Sequence, residues 1–165
     1  MQCHGEFRKM IEQIDVFDCD GVLVDSSHRY KNLSNGSIDI DYWIKNNTPE
    51  KVAKDTLLPH AALYRESLRD RLRYTIIATA RQCAMHDLTF FRDRLGYPQK
   101  LIFRKEGDHR KDWLLKAMGL RRLLNLKQFH HAPVTVWEDN PVTIENLKRL
   151  FPTWQFNHVK SNQGA

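Results

Sequence analysis

The 165-residue sequence predicts an α/β fold: a mostly parallel five-stranded sheet with helices on both faces, in a single domain. Three observations predict it. Short β-rich runs alternate with helical periods from one end of the chain to the other. Chemically active side chains stand directly after several of the apolar runs, where parallel sheets gather their functional groups. Composition is that of a folded protein, 41% hydrophobic and 28% charged with four tryptophans, and a chain this long buries roughly 70% of its unfolded surface, enough for one good core.

The first strand is expected at 14–18, and Gly21 with Val22, Leu23 and Val24 predicts a tight turn into a short extended flap. Between 25 and 59 the signal changes to turn-formers (Ser26, Ser27, Asn32, Ser34, Asn35, Gly36, Ser37), a short amphipathic segment at 38–45, and a break at Asn46-Asn47-Thr48-Pro49. This stretch reads as a small insertion with one short helix. A helix is expected at 60–73, with Ala61, Leu63, Tyr64, Leu68 and Leu72 on its apolar side, then a second strand at 74–78. A helix at 85–95 stops at Gly96 with Pro98 beyond it, and 101–103 forms a third strand. The pattern at 110–124 is helical, although Gly119 weakens its middle. A fourth strand at 134–137, a helix at 141–150 opened by Pro141 and a fifth strand at 154–156 complete the chain, and 161–165 reads as a tail.

Residues 1–165 are thus expected to form one unit with an insertion at 25–59. No stretch has the ~18 uninterrupted apolar residues of a membrane span, and Met1 to Gln13 carries Glu6, Arg8, Lys9 and Glu12 with no apolar leader core. Three cysteines without metal spacing (Cys3, Cys19, Cys83) suit a reducing compartment, so the expected location is cytoplasmic. A net charge of +6 favours an anionic partner, although simple solubility explains such a charge equally well. Nothing implies a membrane or an obligate protein partner.

The strand ends carry the chemistry. Asp18 and Asp20 follow the first strand at i and i+2, which puts two carboxylates into one small volume where they repel unless a cation or a proton intervenes. Thr79, Ala80 and Arg81 follow the second strand, Glu138, Asp139 and Asn140 the fourth, and Lys111 and Lys116 lie near a helix start. Such an edge suits a hard divalent cation, and Mg²⁺ prefers oxygen ligands with retained waters and a substrate phosphate. A carboxylate there can attack phosphorus, which splits a difficult transfer into two easier steps.

Asp18-Cys19-Asp20-Gly21, Ile76-Ile77-Ala78-Thr79, a downstream lysine and Val136-Trp137-Glu138-Asp139 resemble, in order, the four motifs of the haloacid dehalogenase-like phosphohydrolase superfamily, over roughly 15–156. That resemblance implies a Rossmann-like domain with a minimal cap inserted after the first strand. It implies Asp18 as nucleophile, Asp20 as general acid/base, Thr79 and the lysine on the phosphate, and a Mg²⁺ site made by Asp18, the Asp20 carbonyl and Asp139, with Glu138 acting through a bound water. A narrower resemblance, on His28-Arg29, Thr79-Ala80-Arg81 and Gly107-Asp108-His109-Arg110-Lys111-Asp112 followed by Lys116, is to the 3′-phosphatase domain of bacteriophage polynucleotide kinase/phosphatase and its stand-alone relatives. It makes Lys116 the motif lysine and puts Arg29, Ala80, Arg81 and Asp112 on the substrate side. Asp112 and Lys116, four residues apart on a helix, are expected to pair. The departures are Glu138 for the usual aspartate, Val22 for a frequent threonine, and no Gly-x-x-x-x-Gly-Lys-Ser/Thr loop, so no kinase half is expected within these residues.

The bland alternatives are plain. Most basic clusters (Arg69 to Arg73, Arg121-Arg122) read as solvated faces, with Arg104 and Lys105 the exception because they follow the third strand. His86, His109, His130 and His131 lack ligand spacing. Tyr42 and Trp43 are expected to bury the short helix of the insertion, with stacking on a nucleobase as the alternative. The expected activity is Mg²⁺-dependent phosphomonoester hydrolysis through an aspartyl-phosphate on Asp18, with a 3′-phosphorylated nucleic-acid end or nucleotide as substrate. The alternatives are a 5′-nucleotidase or other small-phosphomonoester phosphatase on the same machinery, and a nucleic-acid-binding module without turnover.

Overall fold

Ile14, Asp15, Val16 and Phe17 are all 1% exposed or less, so the first strand, β1 (Gln13–Phe17), is covered on both faces and must be central. The structure, a computed structural model, describes residues 11–129 and 131–161. In it β1 lies between β4 (Arg73–Gln82) and β6 (Val134–Glu138), with β5 (Lys100–Arg104) beyond β4 and β7 (Gln155–His158) beyond β6. All four pairings are parallel. The chain order reverses between β1 and β6, which opens a crevice at their carboxyl ends, the usual place for a ligand in such a sheet.

Register alternation divides the core. Val16, Ile76 and Val136 are aligned across β1, β4 and β6 and pack with Leu115 and Leu120 of α5 (Asp112–Leu124). Phe17, Ile77 and Trp137 face the other way, toward Tyr64 of α3 (His60–Arg69) and Phe90, Phe91 and Leu95. There Phe17 stacks on Trp137 at 4.5 Å and meets Tyr64 edge-on at 5.4 Å. The helix α6 (Pro141–Leu150) is opened by the Asn140 side chain, which accepts from the Val142 and Thr143 amides, and joins β6 to β7. Cys19 is buried and Cys83 half-buried; both are free, and burial raises both thiols, Cys83 to about 12. Cys3 and His130 lie outside the described residues. Among the described residues no helix is long and apolar enough to cross a membrane.

Several boundaries differ from expectation for identifiable reasons. β4 continues through Thr79, Ala80 and Arg81 to Gln82, with an irregular register between Ala78 and Gln82, so the predicted strand end is a distortion inside a longer strand. α3 stops at Arg69 because the Asp70 carboxylate takes the Leu72 amide (2.9 Å) and turns Arg73 into the sheet beside Gln13. The helix expected at 85–95 divides into α4 (Met85–Phe90) and one π-helical turn at Phe91–Leu95, closed by the Gly96 N–H on the Phe91 carbonyl at 2.8 Å. β7 runs to His158. Gly119 has a packing reason: a Cβ there would lie 2.8 Å from Ile102 Cγ2, so α5 sits close on β5 because the residue is glycine.

The insertion is more structured than expected. It rises on an antiparallel ribbon, β2 (Val24–Asp25) with β3 (Thr56–Leu57), and contains two short helices, α1 (Ile40–Lys45) and α2 (Pro49–Val52). The predicted break at 46–49 is where the second helix begins, because Thr48 accepts from the Lys51 amide and Pro49 supplies the helical φ of the first turn. Tyr42 and Trp43 do not bury α1, which has no buried residue at all.

Candidate active site

Asp18 follows Val16 on the α5 face of the sheet, so its carboxylate meets a side chain of α5. Lys116 Nζ donates to Asp18 Oδ1 at 3.0 Å and to Glu138 Oε2 at 2.6 Å, and all three side chains are nearly inaccessible. The Cys19 amide also donates to Asp18 Oδ1, at 2.9 Å, which fixes the carboxylate's orientation. The other Glu138 oxygen accepts from the Asp139 and Asn140 amides at 3.1 and 3.2 Å. Glu138 thus holds both the lysine and the turn that presents Asp139. Asp18, Glu138 and Asp139 each bring an oxygen within 4.8 Å of the others.

The electrostatics of this group are unbalanced. Three carboxylates surround one ammonium. Burial, followed by the Glu138 charge, raises the Asp18 carboxyl well above its ordinary value despite Lys116, and burial raises Asp139 as well. Burial also works against ionisation of Glu138, but the Lys116 charge and hydrogen bonds outweigh it and hold that carboxyl low. With all three carboxylates ionised the group carries an excess of two negative charges on hard oxygen donors, which fits a divalent cation such as Mg²⁺. Gly21 makes room for this group: it lies at φ +84°, and a Cβ on it would fall 2.2 Å from Asp139 Oδ2.

Asp20 is turned away from the three carboxylates. Arg81 grips it twice, Nη2 to Oδ1 at 2.5 Å and Nε to Oδ2 at 3.2 Å, and the Ser26 hydroxyl adds a bond of 2.7 Å. Burial opposes its ionisation, but the Arg81 charge and these bonds win, and the carboxyl is lowered. Arg81 in turn donates to Asp87 (3.0 Å) and lies 3.5 Å from Asp55. Asp87 and Asp55, unremarkable acids in the sequence, are fully buried ion-pair partners that spacing alone gave no means of finding.

Arg29, expected on the substrate side, is instead 0% exposed within the insertion and absent from the cavity wall. Its Nε and Nη2 form a two-pronged pair with Asp55, both at 2.8 Å, and its guanidinium lies 4.2 Å from the Trp43 ring centre. The expected Asp112–Lys116 pair does not form. Lys116 turns to Asp18 and Glu138, while Asp112 accepts from Arg104 at 2.8 Å. Arg104 also donates to the carbonyls of Ala80, Asp108 and Arg110, so it braces the loop after β5. The burial that makes Lys116 useful to Asp18 places it out of reach of an exposed first-turn aspartate.

Above these groups is a cavity of about 350 Å³. Asp18, Asp20, Thr79, Ala80, Arg81 and Asp112 all reach it, as do Lys116, Glu138 and Asp139. Thr79 Oγ1 accepts from the Arg81 amide at 3.0 Å. His109, for which the sequence gave no role, is also on the wall, together with an apolar side from the insertion.

Comparison with known proteins bears on the fold and the family. A 5′-deoxynucleotidase of Escherichia phage T5 is 24% identical over 164 residues, covering 94% of this chain; the chain spans 62% of that relative's length. Among solved structures, a haloacid dehalogenase-like family hydrolase from Streptococcus pneumoniae superposes with a TM-score of 0.64 at 12% identity, covering 91% of this chain and 87% of that one. A chain of the Pnkp1/Rnl/Hen1 RNA repair complex gives 0.62 at 18% identity, covering 93% of this chain and 44% of that one. These likenesses establish a haloacid dehalogenase-like fold. The pattern of the family described as bacteriophage T5 5′-deoxynucleotidase matches residues 6–119, well over half of the sequence, and the chain belongs to that family.

Proposed function

We propose that this chain is a Mg²⁺-dependent phosphatase that hydrolyses the phosphomonoester of a deoxynucleoside 5′-monophosphate through an aspartyl-phosphate on Asp18. The observation that carries the reading is the Asp18 carboxylate, held by Lys116 and the Cys19 amide in a group of three carboxylates at the base of a ligand-sized cavity. When bound, the cation offsets negative charge on the carboxylates and on the phosphoryl oxygens. Asp18, Glu138, Asp139 and the Asp20 carbonyl are the groups that would hold it.

Lys116 and the Cys19 amide occupy Asp18 Oδ1, which leaves Oδ2 as the attacking oxygen. As the Oδ2–P bond forms, the P–O bond to the sugar breaks. Lys116 and Thr79 bind the phosphoryl oxygens in place, donors set before the charge develops. The departing sugar oxygen takes its proton from Asp20. At rest Arg81 keeps Asp20 ionised; an incoming phosphate draws on the Arg81 charge and adds negative charge beside Asp20, both of which favour its protonation. In the second step Asp20 takes a proton from water, the water oxygen attacks phosphorus, and the Oδ2–P bond breaks to release inorganic phosphate and regenerate Asp18.

The 5′ position rests on the phage T5 relative, whose name specifies a 5′-deoxynucleotidase. The segment Gly107 to Asp112 favours the second reading, a 3′-phosphatase acting on nucleotides or nucleic-acid ends. One experiment separates them: phosphate release in Mg²⁺ from deoxynucleoside 5′- and 3′-monophosphates and from oligonucleotides phosphorylated at either end. The expected order has the 5′-mononucleotide fastest, and Asp18→Asn abolishing release from all four. Preferred release of 3′-phosphate rejects the substrate assignment, and turnover surviving Asp18→Asn rejects the nucleophile.

A further inference from the structure

Helix α1 is an apolar element without a core to cover. Ile40 and Ile44 are 60% and 58% exposed, and neither they nor Trp43 is buried in the protein. Positions 40, 43 and 44 are spaced i, i+3 and i+4 and so share one side of the helix. That side forms, with Tyr30 and Ile38, the insertion's wall of the cavity that contains Asp18 and Lys116. Trp43 is backed by the Arg29 guanidinium at 4.2 Å, and Arg29 is locked to Asp55, so the wall has a rigid support. Leaving two isoleucines in water on a six-residue helix costs solubility and gains no packing.

We infer that this wall is the platform on which the substrate's nucleobase lies. The inference rests on the nucleotide-phosphatase reading and goes beyond it. A substrate whose phosphate is at Asp18 must lay its remaining atoms along the cavity, and the insertion's side of that cavity offers methyl groups and rings to a flat, apolar face. Bases present such a face whatever their hydrogen-bonding edges. The wall therefore selects for the presence of a base and little for its identity, and a sugar phosphate without a base leaves the isoleucines in water. Ile40 and Ile44 are the specificity-determining residues, and Trp43, tied to the buried arginine, is their support.

The test measures equilibrium binding, so that it does not depend on turnover. Full-length protein carrying Asp18→Asn is titrated, in Mg²⁺, with deoxyadenosine 5′-monophosphate, thymidine 5′-monophosphate and deoxyribose 5-phosphate, and the titrations are repeated with Ile40→Ser and Ile44→Ser added. Both nucleotides are expected to bind at least tenfold more tightly than the sugar phosphate, and the added serines to remove most of that advantage. Ile44→Val, which cannot disturb the helix, gives an intermediate affinity. With Asp18 intact, the serine pair raises KM for the nucleotides by a larger factor than it lowers kcat. Equal affinity for nucleotide and sugar phosphate, or a loss with serine that is the same for both ligands, overturns the platform. Nucleotide binding that behaves as expected in a protein that hydrolyses no phosphomonoester overturns the phosphatase reading alone.

Discussion

At the scale of single residues the site depends on groups that touch no substrate. Gly21 illustrates how. Its φ of +84° is one that side-chain-bearing residues rarely adopt, and its missing Cβ is the space that Asp139 Oδ2 occupies. Gly21→Ala therefore acts twice, straining the turn by ~1 kcal/mol and displacing a proposed Mg²⁺ ligand. The expected outcome is a modest fall in Tm with a much larger fall in Mg²⁺ affinity, tenfold or more, read by titrating activity against Mg²⁺. A variant that folds and retains wild-type Mg²⁺ dependence would show that Asp139 lies outside the cation site. Val22 makes a complementary point, since a residue departing from a frequent threonine is 0% exposed in an apolar cluster, where a hydroxyl would need a partner.

At the scale of elements, the insertion is attached to the sheet by charge as much as by its β2–β3 ribbon. Arg29 and Asp55 are both fully buried, and the same aspartate lies beside Arg81, which holds Asp20. Removing one partner strands the other, so Asp55→Ala is expected to cost roughly 3–5 kcal/mol in denaturant unfolding. Replacing both, Arg29→Met with Asp55→Leu, is expected to recover part of that loss, because Arg81 and His28 also lose their contact with Asp55. Additive single and double losses would show that the pair is not coupled. This network also marks the limit of what the sequence disclosed. The sheet strands, their order of appearance and the helices between them were legible because apolar periodicity reports local burial, and Asp18, Thr79 and Asp139 stand out because they directly follow apolar runs, whereas Lys116, inside α5, was singled out over Lys111 only by the resemblance around Gly107 to Asp112. The partners of buried charges were not. Asp55 reaches Arg29 across 26 positions, and Asp112 exchanges its expected lysine for Arg104; such choices depend on which side of a helix meets which strand, and this is fixed only when the layers pack. The second helix of the insertion was missed because four residues are too few to show a period.

For the molecule as a whole, the charge distribution opposes itself. The chain carries +6 overall, a field that draws phosphates toward it, yet the crevice between β1 and β6 ends in three carboxylates and one lysine. A phosphate arriving at Asp18 meets like charge unless a cation stands between them. The same excess weighs on the fold, because the carboxylates are gathered and desolvated only in the native state, while in the unfolded chain they are apart and hydrated. A cation bound by the folded protein alone then stabilises it by mass action, about 2.7 kcal/mol at a hundredfold excess over Kd. For a chain of this size that is roughly 5–10 °C in Tm. Thermal unfolding in Mg²⁺ against EDTA is expected to show that shift. Asp139→Asn should raise the metal-free Tm by relieving repulsion while removing most of the response to Mg²⁺. Asp20→Asn, which alters a side chain already committed to Arg81, should lower Tm yet keep the response. A response to Mg²⁺ that survives Asp139→Asn would place the cation elsewhere, and the three carboxylates would then need another source of neutralisation.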